Sequence, residues 1–226
     1  MDESHPERKW LRRTPTENRE SGRYALELPF AHLNLRRNPF GELTEAERAA
    51  LAIVDVSQIA QALSDPNYAV QFVGEKGYGK TTHLLSLRAM FPDAGYVHIP
   101  EGETRPVPGG CPVMIDEAQR LTWWQRRKLF PSEVPLVLGT HTDYASSLKR
   151  YGRKVETVYV GDGTSTDRIV QLLNTRIEHV RRSAGAIPVV SSATVERLQG
   201  IYGGNIRGML YELYQELQNL REIDQI

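Results

Sequence analysis

The sequence predicts a three-layer α/β fold, a parallel sheet between two layers of helices, followed by a small all-helical unit. Two observations carry this expectation. Short apolar runs at residues 69–73, 96–99, 113–115, 136–138 and 155–160 alternate with helical or loop segments, the pattern of a parallel sheet covered on both faces. After Gly161-Asp162-Gly163 the pattern becomes wholly helical. Ile169, Leu173, Ile177 and Val180 recur at helical spacing, Ser191 and Ser192 can cap a helix carrying Val195 and Leu198, and Ile206, Leu210, Leu213, Leu217 and Leu220 stripe a third.

The chain therefore divides into a disordered basic arm at residues 1–27, a sheet unit at 28–162 and a helical unit at 163–226. Pro6, Pro15 and Gly22 interrupt the arm, which has few apolar residues to bury. Its run Arg8-Lys9-Trp10-Leu11-Arg12-Arg13 is read as a solvated tail; the alternative is a grip on a phosphate backbone or an acidic surface. Thr44-Glu45-Ala46-Glu47 is a capping box that opens a helix with Ala49, Ala50, Ile53 and Val54. A second helix is expected at 56–63, closed by the turn chemistry of Ser64-Asp65-Pro66-Asn67.

Composition sets limits on function. With 226 residues the chain can build a proper core, and 28 basic against 28 acidic side chains leave no global field for a polyanion. Cys111 is the only cysteine and the N-terminus opens polar, which places the chain in the cytosol with no internal disulfide. No apolar stretch approaches the roughly 18 residues of a membrane span. His5, His32, His83, His98, His141 and His179 lack metal-ligand spacing.

Four segments carry chemistry. Gly74-Glu75-Lys76-Gly77-Tyr78-Gly79-Lys80-Thr81, with Thr82 after it, follows a buried strand and opens a helix. Its glycines let backbone amides curl around phosphates at a positive helix end. Lys80 is expected at the β- and γ-phosphates of ATP, and Thr81 is expected to ligate Mg²⁺. The strand Val113-Met114-Ile115 then delivers Asp116, a second Mg²⁺ ligand acting through water, and Glu117, a general base for the attacking water. A third strand ends at Gly139-Thr140-His141, where Thr140, or next His141, would sense the γ-phosphate. Finally Gly203-Gly204-Asn205-Ile206-Arg207 opens the last helix. An arginine in a first turn opposes the helix dipole, which favours a functional reason for Arg207: touching the γ-phosphate and linking hydrolysis to lid rotation.

Together these segments resemble the AAA+ superfamily, and more closely the ExeA-type secretion ATPases and their TniB-type transposition relatives. Leu35-Arg36-Arg37-Asn38-Pro39-Phe40 looks like the element that opens that group, and Ile115-Asp116-Glu117-Ala118-Gln119 and Asn205-Ile206-Arg207 add to the likeness. The resemblance implies ATP bound between sheet unit and helical lid, Mg²⁺-dependent hydrolysis, and a homo-oligomer in which one subunit offers an arginine to its neighbour. Arg150 and Arg153 stand where such a finger would sit, with Arg153 slightly favoured. The membrane span and further domains of the secretion members have no counterpart here, and Gly139-Thr140-His141 replaces their usual Gly-Gln.

The expected function is an ATPase that resets a conformational or assembly switch on an unidentified protein or DNA partner. Its rival is an ATP-gated interaction module with little turnover; a small-molecule kinase ranks behind both, since the lid follows the sheet unit. The segment Leu121 through Phe130, rich in bases and carrying Trp123 and Trp124, invites a nucleic-acid reading, but the expectation is an amphipathic helix with its aromatics packed inward.

Overall fold

The structure, a computed structural model, describes residues 29–161, 164–224 and 226. The basic run around Trp10 and the start expected at Leu28 lie outside them. In chain order the elements are α1 (Glu45–Ala50), α2 (Ser57–Ala62), β1 (Tyr68–Val73), α3 (Lys80–Met90), β2 (Gly95–His98), β3 (Val113–Asp116), α4 (Trp123–Leu129), β4 (Leu136–Thr140), α5 (Ala145–Lys149), β5 (Lys154–Tyr159), α6 (Thr166–His179), α7 (Ser192–Tyr202) and α8 (Ile206–Asn219). All five strands pair in parallel, in the order β2-β3-β4-β1-β5. Each expected apolar run forms one of them.

Alternate residues of the strands feed two cores. Ala69, Val113, Ile115, Leu136 and Leu138 pack with Leu121, Leu129, Phe130, Tyr144 and Leu148 on one face. On the other face Val70, Phe72, Met114 and Val137 meet Val56, Ile59, Leu84 and Leu87. The helices after β1 and β4 thus cover opposite faces, although these strands are neighbours. Two adjacent strands whose connections diverge leave a crevice at their C-terminal ends, the usual ligand position in an open α/β sheet. Gln71 is the polar exception in the buried β1. Its Nε2 donates to Asp143 Oδ1 (2.5 Å) and Thr157 Oγ1 (2.7 Å), and its Oε1 accepts from the Tyr144 amide (2.8 Å), so the strand is tied to the segment that follows β4.

Helices α6 to α8 enclose their own core of Ile169, Leu173, Ile177, Val195, Leu198, Met209, Leu213 and Leu217. Leu33, Leu35 and Phe40 belong to this core, which corrects the boundary expected at residue 28: residues 30–41 pack with the helical unit. The reason is both apolar and polar. Three side chains of this size contribute about 1.5–3 kcal/mol each on burial, and the segment's backbone is claimed by partners on the helices. Leu35 bridges Arg181, Arg36 N–H donates to the Val180 carbonyl (2.9 Å), and the buried Arg176 donates to the carbonyls of Pro39 (2.9 Å) and Gly41 (2.6 Å).

The capping box at Thr44 forms as expected, with Glu47 N–H to Thr44 Oγ1 at 3.2 Å and Thr44 N–H to Glu47 Oε2 at 2.9 Å. These bonds from Thr44, together with His179 and Arg37, hold the Glu47 carboxyl at a pKa of about 2. A second capping box, Thr122 with Gln125, starts α4. Here the structure corrects the expectation for the tryptophans: Trp123 is 55% exposed and Trp124 74%. The buried stripe runs through Leu121, half-buried Gln125 and Arg126, then Leu129 and Phe130, so helical phase turns residues 123, 124, 127 and 128 to solvent. No helix among the described residues is long and apolar enough to cross a membrane.

Candidate nucleotide site

Residues 74–79 leave the tip of β1 and lead into α3. Gly77 and Gly79 both take φ 95°, which side chains rarely adopt, and the Gly74 amide donates to the Thr140 carbonyl (3.2 Å), anchoring the loop to β4. Lys80, the first residue of α3, is buried and folds its ammonium under the loop. Its Nζ donates to the carbonyls of Gly74 (2.8 Å) and Glu75 (2.9 Å) and lies 3.3 Å from His141 Nε2. Burial pushes the Lys80 pKa down, while Glu117, Asp116 and Glu75 pull it back up.

Register brings the β3 tip alongside. Thr81 Oγ1 donates to Asp116 Oδ2 at 2.7 Å, and His98 Nδ1 lies 3.0 Å from the same oxygen. The other carboxylate oxygen, Oδ1, is buried with no hydrogen-bond partner. A Cβ at Gly139 would stand 2.8 Å from it, so only glycine leaves that space beside the carboxylate. A hydroxyl, an adjoining carboxylate and an orphaned buried oxygen are hard-oxygen donors of the kind Mg²⁺ uses, so the residues fit that ion.

Glu117 follows in the left-handed conformation, φ 65° and ψ 46°, which costs a residue with a side chain about 1–2 kcal/mol. Its Oε2 accepts from Gln119 Nε2 (2.7 Å), faces Arg120 Nη2 (3.3 Å) and lies 3.6 Å from His141 Nε2. Arg120 also donates to the Ile99 carbonyl (2.7 Å). The sensor expectation changes order. Thr140 is buried, and its hydroxyl is spent on Thr142, donating to the carbonyl (3.0 Å) and accepting from the amide (2.9 Å). The His141 ring instead sits among Lys80, Glu117 and Glu75.

The helical unit reaches the same place. A Cβ at Gly77 would meet Asn205 Oδ1 at 2.3 Å and Arg207 Cβ at 3.2 Å, and the Arg207 charge depresses the Lys80 pKa. Asn205 caps α8 by accepting from the Gly208 amide (3.1 Å). Tyr78 of the phosphate loop is clamped between the two units: a Cβ on Gly161 would fall 1.7 Å from its Cδ1, and one on Gly204 would fall 2.8 Å from its Cε1. Gly161→Ala, at φ 95°, is therefore expected to destabilise by about 2–4 kcal/mol, read from the urea midpoint. In a Tyr78→Ala background the clash with the ring should vanish, leaving about 1–2 kcal/mol of backbone strain and the 2.8 Å approach to the Cβ of residue 78. An unchanged midpoint in Gly161→Ala would refute the clamp.

Of the two finger candidates, the structure removes Arg153. It is 5% exposed. Its Nε donates to the Phe130 carbonyl (2.8 Å), and its Nη atoms donate to the carbonyls of Val134 (2.8 Å), Pro66 (3.3 Å) and Ser132. A guanidinium spent on four internal carbonyls has nothing to offer a neighbour. Arg150, after α5, is exposed.

Thus Lys80, Thr81, Asp116, Glu117, His141 and Arg207 come together at one sheet edge, and Arg153 does not. Gln119, which the sequence offers only as part of the likeness, joins them, as do His98 and Arg120, to which it assigns no role. Gln119 adjoins the Asp-Glu pair in sequence; no local signal marks His98 or Arg120. A groove of about 540 Å³ is lined by Ala52, Ile53, Val54, Asp55, Arg168 and Gln171. Burial depresses the His83 pKa, Arg168 depresses it further, and His83 Nδ1 lies 3.0 Å from the Gly79 carbonyl.

Among solved structures, the chain is similar to the Thermotoga maritima RuvB Holliday junction branch migration motor, with 15% identity and a TM-score of 0.47. The similarity covers 76% of this chain and 60% of that one. The chain matches no protein-family model and no curated protein.

Proposed function

We propose that this chain binds Mg²⁺-ATP and hydrolyses it as an AAA+ ATPase, using turnover to reset an assembly or conformational switch on a partner within a homo-oligomer. The observation that carries the reading is the Thr81–Asp116 pair at 2.7 Å, with Asp116 Oδ1 buried and unpaired beside the space that Gly139 leaves. Thr81 and Asp116 would hold Mg²⁺, which when bound neutralises phosphate charge. Lys80 exchanges its two loop carbonyls for β- and γ-phosphate oxygens, a charge-assisted replacement. Amides of residues 75–81 cradle the phosphates, and the groove at residues 52–55 seats the base. Glu117 takes the proton of the attacking water, His141 donates to the phosphate side, and Arg207 brings the lid's positive charge to the γ-phosphate.

A second reading, an ATP-gated interaction module with negligible turnover, draws on the hold that Gln119 and Arg120 keep on the Glu117 carboxylate. Both readings require nucleotide binding, which is measured by titrating a fluorescent ATP analogue with and without Mg²⁺. Lys80→Ala is expected to weaken binding about 10- to 100-fold, the worth of one or two charged hydrogen bonds. Asp116→Asn should keep metal-free affinity and lose the gain from Mg²⁺. Wild-type protein that binds no nucleotide, or Lys80→Ala that binds as well as wild type, would overturn both readings.

A further inference from the structure

The most exposed aromatic surface near this site is the outer face of α4, six residues past Glu117. From Ala118 to Ser132 the sequence holds four basic side chains and no acidic one, in a chain whose 28 basic and 28 acidic side chains cancel overall. Two of the four are occupied inside the molecule. Arg120 serves Glu117 and the Ile99 carbonyl, and Arg126 donates to Tyr144 Oη (3.0 Å) while lying over its ring. The other two, Arg127 and Lys128, point outward with Trp123 and Trp124. The Arg127 guanidinium sits 5.3 Å from the centre of the Trp123 ring, and the two indoles meet at 77° with centres 4.5 Å apart. Because they meet edge to face, the pair keeps flat aromatic surface outside its own contact. The acids that flank the segment are Glu117, held by Gln119 and Arg120, and the exposed Glu133, while Glu101 and Glu103 face Arg120 and Arg105 respectively.

Leaving two indoles in water is unfavourable for a free surface and is common where a ligand covers them. The ligand must offer flat π-faces to the rings and negative charge to Arg127 and Lys128, one helical turn away at i+3 to i+5. Acidic protein side chains supply only the charge. A nucleic acid supplies both, and only a single strand frees its base faces for stacking. We propose that the Trp123–Trp124 corner of α4, with Arg127 and Lys128, is a binding site for single-stranded nucleic acid, read without base sequence. Binding there does not depend on the ATPase reading, so it is tested without nucleotide.

The test uses the full chain carrying Trp10→Phe, which leaves Trp123 and Trp124 as the two remaining tryptophans of three. Indole quenching and fluorescence anisotropy are followed with twenty-nucleotide oligo(dT) and oligo(U), a hairpin duplex and a poly-glutamate peptide. Saturable quenching by the single strands is expected, with the duplex weaker. Trp124→Ala should lose about tenfold or more in affinity and Trp124→Phe should recover most of it, both with the wild-type unfolding midpoint, since the ring is exposed. With two phosphate contacts removed, Arg127→Glu/Lys128→Glu should flatten the slope of log affinity against log salt by about 1.4. The proposal is overturned if the single strands do not quench, or if they bind equally well to all these variants, as they would through the basic arm. It is equally overturned if poly-glutamate shows the tryptophan dependence and the oligonucleotides do not, which would make the corner an acidic-protein surface. The oligo(dT) and oligo(U) arms assign the sugar class.

Discussion

Glu117→Gln is expected to lower steady-state Mg²⁺-ATP turnover about 100-fold or more while leaving ATP affinity within about threefold, since a positioned general base contributes 10²–10⁴ in rate. The substitution keeps the size of the side chain and its left-handed backbone, so it removes the basic oxygen and little else. An amide at 117 can still meet Arg120 poorly and Gln119 well, and the fold around it should persist. Phosphate release measured over a range of protein concentration gives the answer. If wild-type protein binds ATP and turns over no faster than Glu117→Gln at every concentration, the ATPase reading fails and the ATP-gated module stands. If turnover per chain rises with concentration, assembly completes the site, and Arg150→Ala should then lower turnover without changing the unfolding midpoint.

Arg153→Ala should behave in the opposite way, destabilising the protein by about 3–5 kcal/mol. Its guanidinium bonds four carbonyls, those of Phe130, Ser132, Val134 and Pro66, where the β4 approach packs beneath the turn into β5. Each buried acceptor left without a partner costs about 1–3 kcal/mol, and water can reach some of them once the side chain is gone, so the sum stays below four full penalties. Urea denaturation at neutral pH measures it. An Arg153→Ala protein of normal stability whose ATPase is abolished would reinstate Arg153 as a finger. Arg153→Lys makes the distinction sharper. One ammonium cannot bridge four carbonyls held in a fork, so most of the loss should remain, whereas a simple cationic requirement in trans would be partly met.

Much of this architecture was legible from local signals. The five strands, the helical run after Gly161, the capping box at Thr44 and the order of phosphate loop, carboxylate strand and polar strand all follow from periodicity and turn chemistry, which act over a few residues and need no knowledge of distant partners. The glycines, Lys80 and Thr81 stand out by their spacing after a buried strand, and Gly77 and Gly79 do take the positive φ that favours glycine. What the sequence left open depends on which groups the fold leaves unpaired. Arg150 and Arg153 are equivalent in composition and neighbourhood, yet one faces water and the other fills a hole among carbonyls contributed by residues 66, 130, 132 and 134. Thr140 stands ahead of His141 as sensor in the sequence, but the turn after β4 consumes the threonine hydroxyl. His98 became a neighbour of Asp116 only through the pairing of β2 with β3. The segment at residues 30–41 reads as the start of the sheet unit but is bound by helices more than a hundred residues later, because its apolar side chains and free carbonyls complete their core. The phase of α4 was set by Leu121 and Leu129, whose burial against the sheet left two tryptophans in water. Local chemistry determined which residues are able to act; the pairing order of the strands and the demands of buried polar groups decided which of them meet.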